Sequence, residues 1–236
     1  MENKNSKLKA LYEDKFEKLA PELLEYNKKA LEKKEATNPL LIAVPDDYND
    51  YKKRIMIFGQ DTNNWCRECA DSSTFSNNID KSMEIYKEYY LHNNIGKKRS
   101  PFWNEFKRIK RCVLKTDDAV FTWNNINKIG RRGKGNLKKI NKIQFEYFKV
   151  IEDEINLLQP NILLFFTGPY YDTFIKKQIG NFSQNKIHEN IYELEFSGSF
   201  KGIKAFKTFH PNALYFKGRK IKKAVIKQLI KEIKEL

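Results

Sequence analysis

IMIFGQD, residues 55–61, is a short apolar run that stops at a glycine and turns polar at once. Ile55, Met56, Ile57 and Phe58 follow one another without alternation, and the run is too short for an ordinary helix. That pattern describes a strand buried on both faces, the kind found in parallel sheets. Three other segments share it: AVFTW (119–123), NILLFFTG (161–168) and IKAFKTF (203–209). Helical periodicity fills 83–91, 101–113 and 137–158 between them, and 221–236 at the end of the chain. Strands alternating with helices predict an α/β three-layer sandwich, with a central, mostly parallel, four-stranded sheet and helices on both faces.

Upstream of this core, Leu8, Leu11, Tyr12, Phe16 and Leu19 recur at helical spacing within 6–35. Pro21 is expected to open a second helix, since proline suits a first helical turn. Residues 1–40 thus read as an N-terminal helical layer on a single domain covering 1–236. With 40% hydrophobic and 14% aromatic residues the chain supports a real core. No apolar run reaches the roughly 18 residues needed to cross a bilayer, and the first residues have no signal-peptide pattern. The expectation is a cytoplasmic protein, away from membranes and monomeric.

The residues just beyond the strands point to function. The four strands lead into Gly59-Gln60-Asp61, Asn124-Asn125, Gly168-Pro169-Tyr170 and His210-Pro211-Asn212. Ligands of open parallel sheets bind beyond the carboxyl ends of the strands, so Asp, Asn, Gly and His are delivered to one edge. The balance of 45 Lys and Arg against 30 Asp and Glu, net +15, favours polyanionic partners. Arg131, Arg132 and Lys134 lie in a glycine-rich loop, IGRRGKGNLKK, and a second basic loop covers 95–103. Lys217, Arg219, Lys220, Lys222, Lys223 and Lys227 come after the histidine motif. A nucleic acid is the partner these features suit.

The ordered set GQDTN (59–63), AVFTWN (119–124), LLFFTGPYY (163–171) and HPNAL (210–214) resembles the uracil-DNA glycosylase superfamily. The resemblance spans about residues 54 to 216 and rests on motifs. It implies a monofunctional glycosylase that hydrolyses the N-glycosidic bond of a flipped-out pyrimidine without a cofactor. Asp61 would stabilise the sugar cation and orient water, and His210, as a neutral imidazole, would stabilise the departing base. Asn124 would read the base edge and Gln60 would shape the pocket. Phe75 would stack on the base, with Trp65 as a rival. Gly168, Pro169, Asn212, Leu214 and Tyr215 would meet DNA, Leu214 as the wedge that fills the vacated stack.

Two departures bear on substrate. The family's proline and tyrosine after the aspartate are Thr62 and Asn63 here, so the wall that rejects 5-substituted pyrimidines is missing. A 5-modified cytosine or uracil, hydroxymethylated or glucosylated, is therefore favoured over plain uracil. Such bases occur in the DNA of some viruses that infect bacteria, which would make the enzyme a defence; uracil would make it a repair enzyme. Cys66-x-x-Cys69 with Cys112 and His92 would suit zinc, but a lone CxxC without a second half reads as free thiols and no metal. A DNA-binding protein without chemistry on the same fold, and a nucleosidase, are the competing readings.

Overall fold

The computed structural model describes residues 3–62, 65, 79–92, 96, 98–133 and 137–236. In chain order its first elements are α1 (Lys4–Lys29), β1 (Ala36–Pro39), β2 (Lys53–Asp61), α2 (Ile79–Tyr86) and α3 (Pro101–Val113). Then come β3 (Ala119–Asn127), β4 (Ile129–Arg131), α4 (Lys138–Tyr147), α5 (Ile151–Leu158) and β5 (Ile162–Phe166). The chain ends with α6 (Asp172–Gln178), β6 (Phe182–His188), β7 (Ile191–Phe196), β8 (Lys204–Thr208), α7 (Pro211–Lys217) and α8 (Arg219–Lys234).

The architecture is α/β: a mostly parallel sheet flanked by helices. Its strand order is β3-β2-β5-β8-β7-β6. Ile55 to Phe58 register in parallel with Ile162 to Phe165, and Ile162 to Phe166 with Lys204 to Thr208. The N–H of Lys53 bonds the Asp118 carbonyl and that of Thr62 the Asn127 carbonyl, the same offset at both ends, so β3 is parallel too. These are the four strands legible in the sequence. The sheet has six, however, because β7 runs antiparallel to β8 and β6 antiparallel to β7.

The chain divides into two compact units. The first comprises Met1–Asp46, Asp61–His92 and Asn125–Leu158; the second comprises Asp47–Gln60, Asn93–Asn124 and Gln159–Leu236. In the first, α1 is one helix that contains Pro21 rather than two helices that meet there. Proline removes one backbone donor, and burial of Leu8, Tyr12, Phe16, Leu19 and Leu23 along a single face keeps the helix continuous. The expected helix over 137–158 is instead α4 and α5, broken at Phe148. The break turns Phe148 inward, where its ring lies edge-on to Phe16 at 5.7 Å and against Tyr12 at 6.3 Å.

Beneath these rings lies a buried ion pair. Lys128, wholly enclosed, places Nζ 2.5 Å from Glu154 Oε1, and the Tyr12 hydroxyl donates to the same oxygen at 2.6 Å. Burial pulls the Lys128 pKa below the usual lysine value while Glu154 pulls it back up. Burial, reinforced by the Glu154 charge, raises Tyr12 well above the ordinary phenol value.

In the second unit the sheet core is apolar on both faces, with Phe58 and Phe165 stacked 4.8 Å apart. Lys53 bonds Asp117 and the last carbonyls of α8, satisfying acceptors that a helix end leaves open. Lys207, almost enclosed in β8, is answered by both oxygens of Asp172 and by Gln184. That cluster fastens the β6–β7 hairpin and α6 to β8. Among the described residues no helix is long and apolar enough to cross a membrane.

Replacing Glu154 with Leu strands the Lys128 ammonium, and the expected loss in urea unfolding is about 3–5 kcal/mol. Adding Lys128→Met is expected to restore most of that loss, because the uncompensated charge goes with it.

Candidate active site at the ends of the parallel strands

From β2 the chain moves to β3 on one side of the sheet and later to β5 on the other, so the order reverses between β2 and β5. A reversal of this kind opens a crevice beyond the carboxyl ends of the two strands. In the second unit Gln60 stands at that point, and its Nε2 donates to the Thr167 carbonyl at 2.8 Å. The buried Thr167 hydroxyl has no hydrogen-bond partner among the described residues. Gly168 comes next with φ of 72°, a left-handed conformation that favours glycine, and its N–H bonds Thr208 O at 3.0 Å. Pro169 and Tyr170 then emerge exposed in a short 3₁₀ turn, Pro169–Tyr171.

His210 leaves the neighbouring strand β8 and caps α7. Its Nδ1 accepts the Asn212 backbone N–H at 3.2 Å. A ring nitrogen that accepts carries no proton, which places the hydrogen of the neutral imidazole on Nε2. The Phe102 ring lies nearly parallel to the imidazole, 14° apart with centroids at 6.0 Å. Burial lowers the His210 pKa from 6.5. The result is an uncharged ring with a fixed tautomer and an Nε2–H available to donate.

In the first unit Asp61, the last residue of β2, accepts a 2.6 Å bond from Asn127 Nδ2. Asn127 is buried, and its Oδ1 has no partner among the described residues. The Thr62 hydroxyl donates to Lys128 O at 2.8 Å, pinning the chain just after the carboxylate. Gly130 makes this possible: a Cβ there would stand 1.6 Å from the Thr62 carbonyl oxygen.

Several residues stand differently from their sequence reading. β3 continues to Asn127, so Asn124 lies inside the strand, fully buried, with its amide 3.7 Å from Met56 Sδ. The strand-terminal asparagine is Asn127, and it meets Asp61. Leu214, expected as an exposed wedge, is fully buried because it forms the inner face of α7; Tyr215 and Phe216 beside it are exposed, Phe216 at 79%. Trp65 is buried with its ring edge-on to Tyr89 at 5.3 Å. Arg132 is paired with Glu35 at 2.8 Å, whereas Arg131 lines a groove with lysines of α1 and α4. Asn212 contributes its backbone N–H. Asn63, Phe75, Lys134, Cys66 and Cys69 fall outside the described residues.

Sequence reasoning missed Phe102 and Asn127. The Ser100-Pro101 pair signals the start of α3, with Ser100 accepting the Trp103 N–H, but nothing local links Phe102 to His210. Asn127 sits in an asparagine-rich run, NNIN, whose polarity suggests the end of the strand. No protein-family model matches the chain, and no curated protein matches its sequence.

Gly130→Ala is expected to cost about 3 kcal/mol or more, since the clash is with backbone, and a lowered melting temperature checks it. His210 gives a pH signature. Because its folded-state pKa lies below 6.5, the unfolded chain takes up the proton first. The contribution of His210 is therefore fully present above about pH 6.5 and is lost as pH falls toward the lowered value. A proton-resolved NMR titration of the imidazole is expected to show a midpoint below that of a free histidine.

Proposed function

We infer that the protein is a monofunctional DNA glycosylase that hydrolyses the N-glycosidic bond of a flipped-out pyrimidine. The observation that carries this reading is His210, held neutral with Nε2–H free to donate at the carboxyl edge of a parallel sheet. Departure of a base leaves negative charge on its oxygen. A donor that is already oriented, and carries no charge of its own to desolvate, stabilises that anion without reorganisation.

The sequence motif assigns the sugar side of the reaction to Asp61 of the first unit. As the C1′–N bond breaks, positive charge gathers on the sugar, which a carboxylate stabilises. Water attacks C1′, its oxygen forms the new bond, and its proton passes to Asp61. The departing base keeps the bonding electrons and is protonated from solvent. Asn127 holds Asp61 in place through Nδ2. The exposed rings of Tyr170, Tyr215 and Phe216 provide surfaces on which bases stack.

The substrate class favoured by Asn63 in place of a bulky tyrosine is a 5-modified cytosine or uracil, which gives the activity a defensive role; plain uracil would make it repair. Burial of Asn124, assigned to base reading by the sequence motif, favours a second reading, DNA binding without base release.

Duplexes containing uracil, hydroxymethylcytosine or glucosylated hydroxymethylcytosine, incubated with protein and treated with alkali, separate the two. Base release is expected to fall about 10²–10³-fold in His210→Ala and at least about 10²-fold in Asp61→Asn. Binding without cleavage of any duplex would establish the second reading.

A further inference from the structure

In the first unit, the end of α1, the segment after it, β4 and the start of α4 enclose an open groove of about 540 Å³. Lys29, Lys34, Arg131, Lys138 and Lys139 line it, and among the described residues no carboxylate does. These cations come from two stretches of sequence, 29–34 and 131–139, and folding brings the two together. Glu25 pairs with Lys29, and Glu32 and Glu35 are drawn to Arg132 instead. The first turn of α4 contains no acidic residue, so its backbone N–H groups add positive potential.

A second feature separates this groove from an ordinary solvated face. Leu31 stands in it 69% exposed. Tyr26 forms part of the wall, its hydroxyl donating to the Lys34 carbonyl. Cations alternating with an exposed leucine and a tyrosine match a polymer that alternates phosphate with apolar sugar and base faces.

We propose that this groove binds the sugar–phosphate backbone of DNA, as a contact separate from the residues that act on the base. The choice of DNA rests on the glycosylase reading; the electrostatic fit to a phosphodiester chain does not. Arg131 thereby keeps the role its sequence suggests, with Lys34, Lys138 and Lys139 as its partners in place of the neighbouring Arg132.

The test is fluorescence anisotropy of the full chain on a labelled, unmodified 20-bp duplex across 50–200 mM salt, with an RNA duplex in parallel. Lys34, Lys138 and Lys139 are changed together to Gln, and Lys52, Lys201 and Lys204 form a control of equal charge. The groove variant is expected to weaken binding about tenfold or more and to reduce the salt slope by about 2–3. The control is expected to retain both.

Equal weakening in the control, or an unchanged slope in the groove variant, would overturn the proposal. Tighter binding of the RNA duplex would overturn the assignment to DNA. The base-release assay reads the other hypothesis independently. Groove-dependent binding with no base released sinks the glycosylase and keeps the groove, whereas base release with an unchanged groove variant does the reverse.

Discussion

An ammonium group with no exposed surface is among the most demanding things a fold can contain, and Lys128 supplies one just after β3. Desolvating such a charge costs several kcal/mol unless a partner and further hydrogen bonds answer it. Glu154 of α5 does so, and Tyr12 of α1 takes the same oxygen, so two helices are fixed to one point. The backbone of the same residue does as much again. Its carbonyl accepts the Leu40 N–H and the Thr62 hydroxyl. The turn after Asp61 is therefore tied to the residue whose side chain anchors the unit. Asn127, one position earlier, holds the carboxylate itself.

At His210 the chain solves a different electrostatic problem. A histidine that donated as a cation would have to carry its charge into a partly dry place. Phe102 covers one face of the ring, burial lowers the pKa, and the Asn212 N–H occupies Nδ1. Each acts in the same direction: the ring stays neutral and the proton stays on Nε2. The helix that supplies the Asn212 N–H begins with Pro211, whose missing donor leaves no unsatisfied group at that first position. The His-Pro-Asn order is thus a local device that orients one imidazole.

The parallel strands were readable because burial on both faces leaves an unbroken apolar run, and Ile55 to Phe58 or Ile162 to Phe166 fit nothing else. The hairpin was not, since β6 is largely exposed and its FSQNKIH carries almost no apolar pattern. Its one local signal was the Glu189-Asn190 turn, where Asn190 adopts φ of 64°, a conformation asparagine tolerates better than most residues. Gly168 beyond β5 and His210 beyond β8 were legible for the same reason as the strands. What side chains did after that was not: the Phe102 contact spans more than a hundred residues of sequence, and Leu214 and Phe216 exchange exposure according to which face of α7 meets the core. Helix phase of that kind needs the packing partner, and no one-dimensional pattern over seven residues supplies it.

The charge shows the same divide most clearly. A net +15 reads as one broad attraction to polyanions, yet many of the cations are committed to the fold. Lys53 is bound to Asp117 and the end of α8, Lys128 to Glu154, Lys207 to Asp172, Lys222 to Glu105 and Arg132 to Glu35. Each neutralises its partner, so these pairs contribute little field at a distance. Others reach solvent, among them those of a groove formed by α1, β4 and α4 and of the stretch from Lys217 to Lys227, where Lys220, Lys223 and Lys227 are exposed. Formal charge counted along the chain cannot make that distinction, because whether a lysine is spent on the interior or presented to a partner depends on the carboxylate that folding places beside it.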